Sequence, residues 1–123
     1  MQMAIYKRQR QSIVAIVKDK KGCVISMGHN SYKKTHPLQA KLAKKFGRPG
    51  AIFLHAEIMA ISNCKQLHQA YSIEVIRIGK CGKLVMAMPC PICVYAIQNL
   101  TTIVMVSYST NDNVMKTVLA SSM

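Results

Sequence analysis

The sequence predicts a three-layer α/β fold: a mixed, roughly five-stranded central sheet with helices on both faces. Three observations carry that prediction. Short β-branched apolar runs alternate along the chain with longer runs of helical character. Glycine- and proline-containing breaks separate them. The length, 123 residues, suits one domain spanning 1–123, enough for a single buried core and too little for two.

Residues 1–10 are basic through Lys7, Arg8 and Arg10, and their role is open. Residues 12–18 and 23–28 read as an antiparallel hairpin turned by Asp19-Lys20-Lys21-Gly22. The first of these strands is apolar without alternation, which predicts cover on both its faces. A helix begins near Pro37, with Leu38, Leu42, Ala43 and Phe46 on one side and lysines on the other, and Gly47-Arg48-Pro49-Gly50 ends it. Residues 52–63 are apolar nearly all round, as in a helix packed in the interior.

Residues 73–78 and 84–88 read as strands flanking a turn at 79–83. Pro91 opens another helix, with Cys90 as its cap. Residues 102–108 form a further strand and 109–113 a turn. The closing segment, 114–119, is either a strand antiparallel to its predecessor or a short terminal helix, because so short a turn cannot return a parallel strand.

The charge is the unusual quantity: 17 Lys and Arg against 4 Asp and Glu, a formal +13. Such an excess attracts phosphates and steers polyanions, although it also serves solubility. No run reaches the length of a membrane span. The apolar stretch 13–17 is too short for a signal peptide and lacks a small-residue cleavage site, so a cytoplasmic protein is expected. Five cysteines agree with a reducing compartment. If Cys90 and Cys93 bind metal, Cys23, Cys64 and Cys81 form an odd remainder, expected to be small buried hydrophobes.

The chemistry centres on His55-Ala56-Glu57 and Pro89-Cys90-Pro91-Ile92-Cys93. His55, Cys90 and Cys93 make a nitrogen-and-sulfur set that suits zinc, and three ligands leave a fourth position open. Taken singly, Cys-x-x-Cys reads also as a redox pair, half of a structural zinc site or two buried thiols. Glu57 stands in an apolar run, where a carboxylate needs a reason; stabilisation at a helix N-terminus is one and catalysis another.

His-x-Glu followed by Pro-Cys-x-x-Cys, each at the start of an apolar helical run, is the signature of zinc base deaminases. On those residues the chain resembles the cytidine and deoxycytidylate deaminase superfamily, which also includes tRNA adenosine deaminases and polynucleotide cytidine editors. The resemblance implies a cytidine deaminase-like fold, with the two zinc-bearing helices side by side on one face. It implies Zn(2+) on His55, Cys90 and Cys93, and zinc-hydroxide attack with Glu57 as proton shuttle. It implies Asn30 near the nucleoside sugar, where a turn asparagine serving local backbone is the other reading, and Ala56 acting through its backbone. Relatives are commonly oligomeric.

Substrate identity is less determined. His55 replaces the cysteine of small free-cytidine deaminases. Met88 stands where tRNA adenosine deaminases carry glutamate, and Met59 where deoxycytidylate deaminases carry asparagine. The expected activity is deamination of cytosine to uracil in a (deoxy)cytidine nucleotide such as deoxycytidylate. The alternative is cytosine or adenine within single-stranded DNA or RNA. Charge favours the polymer, whereas the absence of Trp and the presence of only two Phe, at 46 and 53, give no evident stacking platform. A nucleic-acid-binding module with structural zinc is a third reading, and it leaves Glu57 without a role. Lys33, Lys34, Lys41, Lys44, Lys45 and Arg48 lie in an acid-free segment between Asn30 and His55 and are the expected phosphate or nucleic-acid contacts.

Overall fold

The computed structural model describes residues 12–48, 50, 53–79 and 81–123. The basic segment 1–10, whose role the sequence left open, Pro49 and Lys80 in expected breaks, and Ile52 at an expected helix start lie outside the described residues. In chain order the elements are β1 (Ser12–Lys18), β2 (Val24–His29), α1 (Pro37–Lys45), α2 (Ala56–Asn63), β3 (Ser72–Ile78), β4 (Leu84–Val85), α3 (Pro91–Leu100), β5 (Met105–Ser109) and β6 (Met115–Leu119). Single 3-10 turns stand at Leu67–Gln69 and Ala120–Ser122.

β1 and β2 form the expected hairpin. Asp19 organises its turn: one carboxylate oxygen accepts from the Lys21 and Cys23 amides, each at 2.9 Å. Gly22 takes a φ of 88°, a left-handed conformation that a side chain disfavours.

β1 also pairs antiparallel with β3 along its whole length, from Ser12 opposite Ile78 to Lys18 opposite Ser72. β3 runs parallel to β5, and α3 supplies the crossover that parallel pairing requires. β6 closes antiparallel on β5, so the last segment is a strand, followed by one 3-10 turn. The sheet order is β2-β1-β3-β5-β6, with β4 as a short sixth strand beside β3. β4 pairs at Arg77 and Ile78, past the point where β5 has left β3. Of the expected strand at 84–88, only the first two residues join the sheet.

Strand alternation puts Ala15, Val17, Ile73, Val75 and Val106 on one sheet face, and all five are fully buried. They form one cluster with Ile58 and Ile61 of α2, Ile92 and Ile97 of α3, and Leu42 and Ala43 of α1. The opposite face, with Val14, Ile16, Glu74 and Ile76, is half-buried among the described residues. Lys18 and Glu74 form an ion pair there at 2.6 Å.

Three cysteines were expected to be buried hydrophobes, and only Cys64 is. Cys23 and Cys81 are exposed, in the connections β1–β2 and β3–β4 rather than in strands or helices.

Gly28 sets the distance between sheet and active helix. A Cβ there would lie 2.5 Å from the Ala56 carbonyl oxygen and 2.9 Å from the Met59 Cβ, with the Ala60 amide nitrogen also in its way. The Ala56 and Ala60 atoms are backbone of α2 and cannot step aside without moving the helix. Gly28→Ala is therefore expected to lower unfolding free energy by about 3 kcal/mol, the upper range for overpacking, as measured by urea denaturation.

Candidate metal centre

Two helix starts build the centre. His55 is the residue before α2, in extended conformation at φ −82° and ψ 151°, and its side chain makes no capping bond. The imidazole is turned instead toward the cysteines. Cys90 occupies the same place before α3, extended and likewise free of capping, with Pro91 setting the first helical turn. Cys93 follows one turn later and is fully buried. His55 Nδ1 lies 3.3 Å from Cys93 Sγ and 3.5 Å from Cys90 Sγ. All three ligand atoms fall within 4.8 Å of one another. Ligands around one tetrahedral zinc are separated by about 3.5 Å, so this donor set fits zinc in both chemistry and spacing.

The supports of these ligands were only partly visible in the sequence. The His55 amide donates to Gln39 Oε1 at 3.2 Å, and Gln39 is fully buried in α1. Sequence reasoning missed it; the available signal was a polar residue at helical spacing with the apolar Leu42 and Ala43. The approach to Cys90 is held from the other side. Asn111 Oδ1 accepts from the Met86 amide at 2.8 Å and Asn113 Oδ1 from the Leu84 amide at 2.9 Å. The buried Ser109 hydroxyl donates to the Val85 carbonyl at 2.6 Å and accepts from the Arg77 amide at 3.0 Å. The turn after β5 thus fastens the strand that delivers Pro89 and Cys90.

The electrostatics follow from crowding acids and a base in an apolar core. The hydrogen bond from Cys93, aided by His55 and opposed by burial, holds the Cys90 thiol down to about 4. Cys93 is pushed well above the ordinary thiol value by that same bond with Cys90 and by burial. His55 is raised by its hydrogen bond to Cys90 against the opposing effect of burial. Glu57 is buried in the first turn of α2, and burial raises its carboxyl above the usual range while its backbone hydrogen bond and His55 oppose the shift. A raised carboxyl exchanges protons more readily near neutral pH.

A hollow of about 160 Å³ opens beside these groups, walled by His55, Ala56, Glu57, Cys90, Arg77 and Met88 among others. An adjoining hollow of about 270 Å³ shares Ile13 and His55 with it and includes Asn30, Tyr32 and Phe53. Asn30 Oδ1 accepts from the Ile13 amide at 3.0 Å, so the side chain ties β2 to β1 while lining the second hollow. Ala56 is fully buried at the first helical position, where amides lack intrahelical partners.

None of the six basic residues expected to bind phosphate lines either hollow. Lys33 and Lys34 come nearest in the chain, on a loop whose Lys34 carbonyl accepts from the Leu54 amide at 3.0 Å. Lys41 and Lys44 are exposed on α1, and Arg48 is exposed after it. Lys45 sits over the Tyr95 ring at 4.7 Å, and that ring also meets Phe46 edge-on. Helical geometry turns these lysines away from the core-facing side of α1, which Gln39, Leu42 and Ala43 occupy. The basic residue that does line the smaller hollow, Arg77, was missed because a charged residue near a strand end, like Glu74 in the same strand, reads as solvent-facing.

Residues 1–110 match the family described as the cytidine and deoxycytidylate deaminase zinc-binding region. The chain belongs to that family. Its fold matches the crystal structure of a cytidine deaminase from Burkholderia pseudomallei with a TM-score of 0.59 at 14% sequence identity, covering 98% of this chain and 90% of that one. A search of curated proteins finds no match. Family membership and the His55, Cys90 and Cys93 group together support a zinc-dependent deaminase. Among the described residues, no helix is long and apolar enough to cross a membrane.

Cys93→Ser is expected to abolish stoichiometric zinc, measured by atomic emission on the purified protein, and to lower the melting temperature. Unchanged zinc content would remove Cys93 from the ligand set.

Proposed function

We propose that this protein converts cytosine to uracil in a (deoxy)cytidine nucleotide, with His55, Cys90 and Cys93 as zinc ligands and Glu57 as the proton carrier. The observation that carries the reading is the buried Glu57 carboxyl on the wall of a hollow that also presents His55 and Cys90. Zinc at these three ligands supplies Lewis acidity that makes water reactive near neutral pH. Glu57 accepts a proton from the attacking water, passes one to ring nitrogen N3, and later assists departure of the C4 amine as ammonia. Water and cytosine thereby become uracil and ammonia.

The dimensions support a single ring. A volume of about 160 Å³ equals the liquid share of about five waters, the scale of one pyrimidine. The adjoining hollow takes the sugar, with Asn30 on its wall. The Ala56 backbone offers a donor to the base from the helix start. Lys33 and Lys34 are the basic side chains best placed to meet the phosphate.

A specific observation favours a second reading, deamination within single-stranded DNA or RNA. Tyr32 and Phe53, 43% and 47% exposed, line the outer hollow together. Exposed rings beside a catalytic hollow stack neighbouring bases of a strand. With the +13 charge, they supply the aromatic surface that composition alone did not reveal.

The deciding experiment is a mass-spectrometric deamination assay on deoxycytidylate, cytidylate, single-stranded DNA and single-stranded RNA at matched base concentration. Monomer conversion is expected, with a KM that changes little with salt. Glu57→Gln is expected to retain zinc and lose about 10³-fold in kcat. Conversion of polymer alone, with a steep salt dependence, would replace the leading reading by the second. Full activity in Glu57→Gln would remove Glu57 from the chemistry.

A further inference from the structure

Arg77 has no place in the chemistry described so far, and its position is unusual. It follows Ile73 and Val75 on the closed face of β3, where strand alternation otherwise places aliphatic residues that are fully buried. Its backbone is accounted for, since the amide donates to Ser109. Its side chain lines the same small hollow as Glu57 and Cys90. The guanidinium Nε is buried and has no hydrogen-bond partner among the described residues. Nor does Arg77 pair with Glu57: the ion pair among the described residues joins Lys18 and Glu74.

A guanidinium is permanently charged, carries only donors, and is unfavourable to bury without acceptors. Packing alone does not call for it, because valine or isoleucine would continue this face at lower desolvation cost. Arg77 also stands near the carboxyl end of β3, two residues past its last pair with the parallel strand β5, the end at which α/β sheets place their ligands. An acceptor brought by the substrate into the hollow that Arg77 lines would satisfy such a donor.

The hollow identifies that acceptor. At about 160 Å³ it takes the base rather than the base with its phosphate. With C4 toward the metal ligands and N3 toward Glu57, a cytosine ring presents its O2 carbonyl to the remaining wall. Adenine set the same way, with C6 at the ligands and N1 at Glu57, presents the C2 hydrogen there and offers no acceptor. We propose that Arg77 is a specificity-determining residue that donates to the O2 carbonyl of an oxo-pyrimidine and so selects cytosine over adenine. This inference rests on the cytosine reading above, and it holds equally for a monomer and for a strand.

The test compares deoxycytidylate with 2-thiodeoxycytidylate, in which sulfur, a poor acceptor, replaces O2. Zinc-loaded unaltered protein, Arg77→Lys and Arg77→Met are assayed, and single-stranded oligonucleotides carrying one cytosine or one 2-thiocytosine serve if only polymer is converted. The unaltered protein is expected to favour the oxo substrate at least about tenfold in kcat/KM. Arg77→Met is expected to bring the ratio near one, and Arg77→Lys to retain part of the preference. A merely structural role would lower both substrates together and leave the ratio untouched, which would overturn the assignment. A ratio near one in the unaltered protein would overturn it without any variant, covering the case in which Arg77→Met does not fold. Absence of turnover on every cytosine substrate would instead remove the cytosine reading itself, and the Arg77 role with it.

Discussion

The structure depends on bringing two helix starts within reach of one metal ion. His55 and Cys90 each stand one residue before a helix, and Cys93 one turn inside the second, so the ligand spacing is set by how α2 and α3 lie against each other. Gathering two thiols and a carboxyl in an apolar core is electrostatically costly. The hydrogen bond between the two thiols holds Cys90 low, while that bond and burial push Cys93 up. A divalent cation relieves the cost, and for that reason metal binding and folding are coupled in such sites.

The two helices are anchored by different means. α2 is pressed onto the sheet at Gly28, where the missing side chain allows direct backbone contact, and its entry is held by the buried Gln39. α3 is positioned through its entry strand, pinned at Leu84 and Met86 by asparagines from the turn after β5. Residues more than twenty positions downstream therefore determine where Cys90 begins its helix. A parallel β3–β5 pair places that turn beside β4 and makes the arrangement self-consistent.

Charge and chemistry are spatially separated. The lysines of α1 face solvent, one of them covering Tyr95, while the small hollow is walled largely by apolar groups around Glu57, Cys90 and Arg77. Exposed cations act at long range and are screened by salt. The enclosed groups act at hydrogen-bond distance. Tyr32 and Phe53 lie between these regimes, at the mouth.

The sequence by itself determined the α/β class, the hairpin and its turn, and the start of α3 at Pro91, and it singled out the His55, Cys90 and Cys93 group and Glu57, because each rests on local chemistry: β-branched runs, turn formers, a proline at the first helical position and a ligand motif. It left the final segment open between strand and helix, since only pairing with β5 distinguishes them. It expected phosphate contacts at basic residues that line neither hollow, those of α1 being directed by which side of that helix meets the core, and took Cys23 and Cys81 as buried, although burial depends on what packs above a turn. Gln39, Ser109, Asn111, Asn113 and Arg77 gained their roles only in tertiary structure. Their partners lie 16 to 32 positions away in the chain, and contacts across such separations follow from strand register and helix packing rather than local pattern.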